Sequence, residues 1–406
     1  EALFLGREPR IPGTPFLDRA AMRRRSAEIL ERYFGVSLPH SALIAELSAA
    51  EKQIVQITRA LIADPKVLVF DEPTAALVRR EADLLFQLIR RLSAEGVTIL
   101  YISHYLGEIV DLCDTVTVLR NGRDVATLPV AETSAAKIGA LMVNRDIGEL
   151  YPKSDVTPGE VILQVDDLVL AGRYEAVSFS LRRGEVLGLT GLVGSGAKEV
   201  VRTLFGLDRP TGGTVSVKGE TVFSADPAAA TERRLALVPE DRRSDGVALD
   251  LSVTENTTLA SLGRFSHGLI NRGAERRQTE DLVQRLQIKT DGVDALVKTL
   301  SGGNQQKVAI AKWLSRQSEI YLLDEPTVGV DIAAKVEIYR LIGELAERGA
   351  GVLVLSSDIE ELLGVTDRLL VLFRGRVTRQ FISSETSPDQ VLADVTGAYE
   401  TLLHAG

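Results

Sequence analysis

The sequence predicts an α/β fold made of two tandem copies of one phosphate-binding domain, of which the first copy is incomplete. The first observation behind this prediction is a long internal repeat, which indicates a duplicated domain. The second is the alternation of short apolar strands with amphipathic helices in each copy, which is typical of a parallel sheet covered by helices. The third is a glycine-rich loop, "GLVGSGAKEV", in the second copy.

The repeat runs without gaps for about a hundred residues. "LSAAEKQIVQITRALIADPKVLVFDEPTAAL", which starts at Leu47, aligns with "LSGGNQQKVAIAKWLSRQSEIYLLDEPTVGV", which starts at Leu300. The offset is 253 residues (324 − 71), as the pairing of Asp71 with Asp324 shows. A match of this length indicates a duplication rather than a chance effect of composition.

Each copy alternates strand and helix. "KVLVF" and "VTILYIS" are apolar on successive residues, which predicts buried parallel strands. The helix predicted between them places five apolar residues on one face, namely Leu84, Leu85, Leu88, Ile89 and Leu92. The second copy repeats this order with "IYLL", "VEIYRLIGELAERG" and "GVLVLSS". We therefore expect the same parallel core in both copies.

The domain boundaries follow from the repeat. We predict a first domain over residues 1–145, a linker over 146–160 and a second, complete domain over 161–406. The linker "DIGELYPKSDVTPGE" is polar and contains two prolines. Glu1 corresponds to about Glu255, whereas the second copy begins near Glu160, so we expect about 95 residues of the first copy, with its phosphate loop, upstream of Glu1.

Composition excludes several classes of protein. The net charge of −9 gives no electrostatic case for binding nucleic acid or anionic lipid. A single cysteine excludes an intrachain disulfide framework, and the four histidines show no metal-ligand spacing. No apolar run approaches the roughly 18 residues of a membrane span.

The glycine-rich loop has the layout of a phosphate-binding loop, since a strand-like run precedes it and a helix-like run follows. The motif G-x-x-x-x-G-K-[ST] requires a lysine and then a hydroxyl, but this chain has alanine and then lysine. Losing the motif lysine removes a contact worth about 1.5–3 kcal/mol, unless the loop shifts by one residue and the displaced lysine compensates. The candidate phosphate-binding residues are Gly191, Gly194, Ser195, Gly196, Ala197 and Lys198.

Paired carboxylates end one predicted strand in each copy, within "VFDEPT" and "LLDEPT". In phosphoryl transfer the first carboxylate typically holds Mg²⁺, and a second can activate the attacking water. We therefore expect Asp71 and Asp324 to be metal ligands, and Glu72 and Glu325 to face the phosphates.

A serine and two glycines precede an apolar-periodic helix in "LSGGNQQKVAIAKWL". Alone this pattern would favour an ordinary N-cap, but its place 23 residues (324 − 301) before the carboxylate pair makes an anion site the better hypothesis. The candidate residues are Ser301, Gly302, Gly303, Asn304 and Gln305.

Together "LSGGNQQ", "DEPT", "YISH" and "GLVGSG" resemble the ATP-binding subunits of ABC transporters. The closer resemblance is to the duplicated ATPases of bacterial simple-sugar importers of the ribose, xylose and galactose type, through "FLGRE", "DEPTVGVD" and "PEDRRSDG". It covers essentially the whole chain. It implies two tandem ABC-type P-loop NTPase domains, each with a parallel RecA-like core sheet and with helical and antiparallel β subdomains.

The resemblance also implies two composite ATP sites, because the family's domains face each other head to tail. The first would combine the upstream phosphate loop, Asp71, Glu72 as general base and His104 as the switch residue for the γ-phosphate with the Ser301–Gln305 segment. Its one visible departure is Val78, where the family usually has aspartate, which puts communication between the sites in doubt.

The second composite site departs further from the family. It would use the Gly191–Lys198 loop, Glu240 in place of the usual glutamine, Asp324, Glu325, and Ser357 in place of histidine. The opposing segment "LSAAEKQ" has Ala49 and Ala50 where glycines would permit close backbone approach. We expect this site to be a poor catalyst.

The resemblance implies an ATPase that drives sugar import, with ATP and Mg²⁺ as cofactors, peripherally bound at the cytoplasmic face of the inner membrane. Its partners would be membrane permease subunits and, through them, a periplasmic sugar-binding protein. A soluble tandem ABC ATPase acting on ribosomes or DNA is an alternative, which the short, mildly acidic linker disfavours. Another is that this chain alone hydrolyses nothing. No nucleic-acid partner is expected, and the sequence does not identify the sugar.

Two aromatic residues are weak candidates for a binding surface. Trp313 lies in the helix after the "LSGG" segment and is better explained as core. Tyr174 is a candidate for stacking on adenine, as aromatic residues of the family do, but its spacing disfavours that role.

Overall fold

The computed structural model describes residues 2–397, except 37, 40–41, 75–78, 104, 121, 144–150, 155 and 222–225; the side chains of 49, 50, 79–81, 136, 143 and 267 are also left out. The chain divides into two compact units, Glu1–Ile147 and Gly148–Gly406, called unit 1 and unit 2 below.

Unit 1 contains helices and strands in the order that the repeat predicts. The helices are α1 (Arg19–Phe34), α2 (Ala49–Leu61), α3 (Arg79–Ala94), α4 (Leu106–Leu112) and α5 (Ala135–Val143). The strands are β1 (Val67–Asp71), β2 (Thr98–Ile102), β3 (Thr115–Arg120) and β4 (Arg123–Pro129). β1 and β2 pair in parallel, and β3 and β4 form a separate antiparallel pair.

The core of unit 1 covers one face of the β1–β2 sheet. Leu68 and Phe70 pack there against the apolar stripe of α3, which buries Leu85, Leu88, Ile89 and Leu92. Leu84, which the helical pattern places on the same stripe, is 46% exposed and lies at its edge. On the opposite face of the sheet the apolar side chains are exposed, namely Val67, Val69, Leu100 and Ile102.

Unit 2 contains more elements. Its helices are α6 (Ala197–Leu204), α7 (Pro227–Glu232), α8 (Val253–Thr258), α9 (Arg272–Arg285), α10 (Gly302–Arg316), α11 (Ile332–Glu347), α12 (Ile359–Val365) and α13 (Pro388–Val395). Its strands are β5 (Val161–Leu170), β6 (Tyr174–Arg182), β7 (Val186–Gly191), β8 (Gly212–Val217), β9 (Glu220–Thr221), β10 (Leu235–Val238), β11 (Ser266–His267), β12 (Leu269–Ile270), β13 (Ile320–Asp324), β14 (Gly351–Leu355), β15 (Arg368–Phe373) and β16 (Arg376–Ile382).

Two main sheets build unit 2. The larger has the order β10-β13-β14-β7-β15-β16, in which only the β15–β16 pair is antiparallel. The smaller, β6-β5-β8-β9, is antiparallel. Every residue of β13 and β14 is buried, as expected for central parallel strands with both faces covered. The carboxyl ends of β7, β13 and β14 therefore meet at one edge, where ligands bind in such sheets.

The described residues before β5 contact the helices and loops that follow later in unit 2. The Lys153 ammonium donates to the Thr366 carbonyl at 2.8 Å, and the Ser154 hydroxyl donates to Glu347 at 2.7 Å. The predicted linker bounds, 146–160, fall partly outside the described residues and stay a prediction. Trp313 is 7% exposed and its indole N–H donates to the Leu237 carbonyl at 2.7 Å, so its predicted core position is confirmed. In the part of the chain that the structure describes, none of the helices combines the length and the apolar character that crossing a membrane requires.

Candidate nucleotide site

The phosphate loop lies between β7 and α6 in unit 2. Gly194 and Gly196 have φ values of +84° and +95°, in the left-handed region that glycine adopts without strain. A Cβ on Gly196 would lie 2.8 Å from the Arg173 carbonyl oxygen and 2.9 Å from Cβ of Tyr174. The glycines of the motif are thus required by the shape of the loop itself.

Tyr174 closes the floor of this loop and does not face a ligand. It is 1% exposed, and its hydroxyl shares a 2.7 Å hydrogen bond with the Thr203 hydroxyl on α6. A stacking role for Tyr174, which its spacing already disfavoured, does not agree with this burial.

Ala197 and Lys198 are the first two residues of α6 and follow Gly196 directly. Ala197 is 4% exposed and supplies no charge. The Lys198 ammonium forms an ion pair with the carboxylate of Glu240, which follows β10. Burial opposes its charge, but the hydrogen bond to Glu240 and the charge of Asp324 together raise the pKa of Lys198.

Asp324 and Glu325 lie at the carboxyl end of β13. Asp324 is 4% exposed, and one of its carboxylate oxygens, Oδ1, is buried without a hydrogen-bond partner. Burial raises its pKa to about 6; the Lys198 ammonium opposes this rise and the charge of Glu240 adds to it. Burial also raises the pKa of Glu325 to about 7, against the hydrogen bond that its carboxylate accepts from the Ser357 N–H at 2.7 Å.

The corresponding carboxylates of unit 1 end β1 in the same geometry. Glu72 has a φ of +45° and its N–H donates to the Ile102 carbonyl at 2.9 Å; Glu325 has a φ of +47° and donates to Leu355 at 2.8 Å. Asp71 and Glu72 are both exposed. His104 and Val78 lie outside the described residues, so their predicted roles rest on sequence alone.

The "LSGG" segment forms the start of α10. Ser301 is exposed and its hydroxyl accepts from the Asn304 amide at 2.8 Å. Gly302 and Gly303 have no room for a side chain, because a Cβ on the first would lie 2.5 Å from the Arg242 guanidinium and on the second 2.7 Å from Cβ of Ala334. The packing of this segment within unit 2 therefore favours glycine at both positions.

Gln305, predicted as a nucleotide contact, is buried at 2% exposure. Its amide donates to the Leu300 carbonyl at 3.1 Å and to Val297 at 3.3 Å. These bonds favour a structural role, in which Gln305 fixes the turn that presents Ser301.

Arg242 is a site residue that sequence reasoning missed, although it lies in the quoted "PEDRRSDG" stretch. Its guanidinium donates to the Val328 carbonyl at 2.8 Å and to the Gly329 carbonyl at 3.0 Å. It therefore joins the loop that follows Glu240 to the loop after "DEPT" and to the start of α10. Its position two residues after Glu240 indicated in the sequence that Arg242 lies near the site.

The residues around Asp324 do not form the Mg²⁺ site that other phosphate loops have. There the residue in the position of Lys198 is a serine or threonine whose hydroxyl oxygen binds the metal. An ammonium has three donors and no acceptor, so it cannot be a ligand. Among the residues that the structure describes, no group of three or more His, Cys, Asp and Glu side chains could hold a metal ion.

The fold and this loop define a nucleotide-binding α/β domain of the cassette class, duplicated along one chain. A model of the ABC transporter family matches residues 6–75 and 174–328. The chain therefore belongs to the ABC transporter family, whose ATP-binding proteins are ATPases.

Curated relatives extend this assignment to nearly the full chain. It is 55% identical over 399 residues to a ribose import ATP-binding protein of Pseudomonas putida, covering 98% of this chain and 78% of that protein. It is 50% identical over 399 residues to the protein of the same name from Cereibacter sphaeroides, covering 98% and 79%.

Solved structures agree on the fold. A nucleotide-free ATP-binding cassette from an ABC transporter matches with a TM-score of 0.51 and 20% identity, over 59% of this chain and 99% of that one. An ABC transporter cassette in its ADP conformation matches with a TM-score of 0.50 and 19% identity, over 61% and 100%. The predicted fold class, with a parallel core sheet and an antiparallel subdomain, is confirmed.

Proposed function

We propose that this chain is the ATP-binding subunit of an importer for a simple sugar, with ribose as the first candidate, and that ATP hydrolysis drives the import. The observation that carries the proposal is the identity to ribose import ATP-binding proteins, which runs through both units. The permease subunits are its membrane partners, and a periplasmic sugar-binding protein delivers the sugar to them. The chain then lies at the cytoplasmic face of the inner membrane.

Within this proposal the acidic pair of unit 1 has the catalytic role. Glu72 is the general base that activates water, Asp71 would hold Mg²⁺, and His104 contacts the γ-phosphate. A Mg²⁺ ion held by Asp71 would supply positive charge against the phosphate oxygens. The exposure of Asp71 and Glu72 and the left-handed turn that presents Glu72 support this assignment.

Unit 2 has the nucleotide-holding role. Its phosphate loop lacks the motif lysine, and Glu325 is already bound to the Ser357 N–H, where the family has a histidine. These departures support a second site that binds nucleotide and hydrolyses it slowly.

The test is sugar uptake by a bacterial strain that lacks its own ribose ATP-binding subunit. The strain expresses the gene product that contains this chain together with its permease and sugar-binding protein. Glu72→Gln and Glu325→Gln form a matched pair, since both residues follow a strand with nearly the same backbone angle. We expect Glu72→Gln to lower uptake of radiolabelled ribose and ribose-stimulated ATP turnover by about 100-fold or more, and Glu325→Gln by no more than about threefold.

Uptake that is unchanged by Glu72→Gln would contradict the assignment of the catalytic unit. Uptake of xylose or galactose in place of ribose would correct the sugar. Salt-sensitive binding of the purified protein to ribosomes or DNA would favour the alternative of a soluble tandem ATPase.

A further inference from the structure

We propose that Lys198 takes the place of the divalent metal ion at the phosphate loop of unit 2, so that this unit binds nucleoside triphosphate without Mg²⁺. The inference rests on the proposed function, because it takes ATP as the ligand of this loop. It deepens that function by stating the form of ATP that unit 2 accepts.

Lys198 stands at the motif position of the metal-binding hydroxyl. In a phosphate loop the second residue after the last glycine contributes the hydroxyl that binds Mg²⁺. That residue is Lys198, and it lies in the first turn of α6. Its side chain therefore starts from the point where a metal ligand would start, and it carries a positive charge in place of a lone pair.

The Lys198 ammonium lies among acidic groups. Glu240 forms an ion pair with Lys198, and the charge of Asp324 acts on it as well. In other phosphate-loop enzymes a carboxylate in the position of Asp324 belongs to the metal. In this unit a built-in cation occupies the acidic surroundings that would attract a metal ion.

One carboxylate oxygen of Asp324 has no hydrogen-bond partner in the described structure. This oxygen, Oδ1, is buried, so it would gain from a nearby cationic donor. An ammonium that moves from Glu240 towards a bound phosphate can serve both groups, since it has three donors.

A cleft lies beside Lys198. It has a volume of about 540 Å³, within the range of roughly 300–1,000 Å³ that is typical of small-molecule sites. Its walls include four basic side chains, namely Arg173, Lys198, Arg202 and Arg209, and two carboxylates. Arg173 and Arg202 are ion-paired there with Glu199 and Asp208, so the excess positive charge of the lining comes from Lys198 and Arg209.

The experiment is isothermal titration calorimetry of this chain with ATP, in excess MgCl₂ and in excess EDTA. We expect the two dissociation constants to agree within about threefold. Lys198→Met should weaken binding about 10- to 100-fold in both buffers, which is the loss of one charge-assisted contact. Lys198→Thr should weaken binding in EDTA and restore part of it in MgCl₂, because it returns the metal-binding hydroxyl.

Lys298→Thr is the matched control. Lys298 is a second lysine of unit 2 with the same side-chain exposure, 51%, and an ion pair to Asp250 at 2.9 Å. We expect it to leave both dissociation constants unchanged.

Binding by the unaltered chain that EDTA weakens tenfold or more would overturn the inference, and so would an absence of binding in both buffers. Equal effects of Lys198→Thr and Lys298→Thr would overturn it as well. Since the proposal attributes sugar uptake to Glu72 in unit 1, the uptake assay and this titration can fail independently.

Discussion

Strands β1 and β2 of unit 1 and strands β13 and β14 of unit 2 have the same order, the same parallel pairing and the same register, yet they differ in burial. Val67 pairs with Thr98 in unit 1, and Ile320 pairs with Gly351 at the equivalent position in unit 2. All residues of β13 and β14 are buried, whereas alternate residues of β1 are exposed.

The difference lies in the neighbours of the strands. In unit 2 the strand β14 also pairs with β7, and helices cover both faces of the sheet. In the described part of unit 1 the strands β1 and β2 pair only with each other. Pairing and register are thus the same in both units, whereas burial follows the neighbours that each described sheet includes; the residues described in unit 1 include no counterpart of β7.

The largest expected effect comes from truncating equivalent leucines of β14 and β2. Leu353 is fully buried, and Leu100, its counterpart 253 residues earlier (353 − 100), is 54% exposed. Leu353→Ala should lower the free energy of unfolding of unit 2 by about 2–5 kcal/mol, because it leaves a cavity. Leu100→Ala should cost less than about 1 kcal/mol.

Hydrogen exchange of peptides from each unit measures both costs in the native protein. Trp313, the one tryptophan of the chain, reports the unfolding of unit 2 by fluorescence in denaturant. Similar losses for the two variants would show that the open face of β2 is covered in solution, which would remove the contrast between the units.

A second prediction concerns a glutamate that is buried in unit 2. Burial raises the pKa of Glu361 to about 7, with the charges of Asp358 and Glu325 adding to the rise, while Lys335 and a hydrogen bond from Thr327 oppose it. The folded state therefore holds this proton more tightly than the unfolded state, and the stability it contributes is lost as the pH rises from about 4.5 to about 7.

Glu361→Gln should remove that pH dependence. We expect the variant to be more stable than the original protein at pH 8, by up to about 3 kcal/mol, and nearly equal to it at pH 4. Denaturant unfolding followed by Trp313 fluorescence at the two pH values measures the difference. Glu108→Gln, at the equivalent position of unit 1, is the control and is measured by hydrogen exchange of unit 1 peptides; no stabilisation is expected there, because Glu108 is only partly buried and accepts hydrogen bonds from the Tyr101 and Ser103 hydroxyls. A loss of stability at pH 8 in Glu361→Gln would show that the buried charge is well paired.

The smallest expected effect separates the two serines before α2 and α10. Ser48 accepts from the Glu51 N–H at 3.2 Å and so caps α2, whereas the Ser301 side chain makes no cap hydrogen bond to its helix. Ser48→Ala should cost about 1 kcal/mol of stability, and Ser301→Ala should cost less. Ser301→Ala should instead lower ATP turnover of the gene product that contains this chain. Circular dichroism melts measure the stability of both variants, and ATPase assays measure their turnover. A large loss of stability in Ser301→Ala would show that Ser301 is an ordinary helix cap.

The repeat and the apolar periodicity predicted both parallel cores, because each α-helix and strand of unit 1 recurs 253 residues later. The glycine motif likewise predicted the loop before α6. Leu84, predicted on the apolar stripe of α3, lies at its edge and is 46% exposed. The family resemblance placed Lys198 and Glu240 in one site, 42 positions apart in the chain (240 − 198), but it did not predict their ion pair, because the motif has a hydroxyl at the position of Lys198. The contacts of Arg242 were missed, because its partner carbonyls lie far along the chain.

The left-handed backbone at Glu72 and Glu325 is the same in both units although the chemistry around it differs. Such a conformation costs a non-glycine residue about 1 kcal/mol or more. Glu325→Gly would relieve that cost, so a unit that no longer needed its glutamate would gain by losing it. The common origin of the two units is thus visible in a torsion angle that both keep.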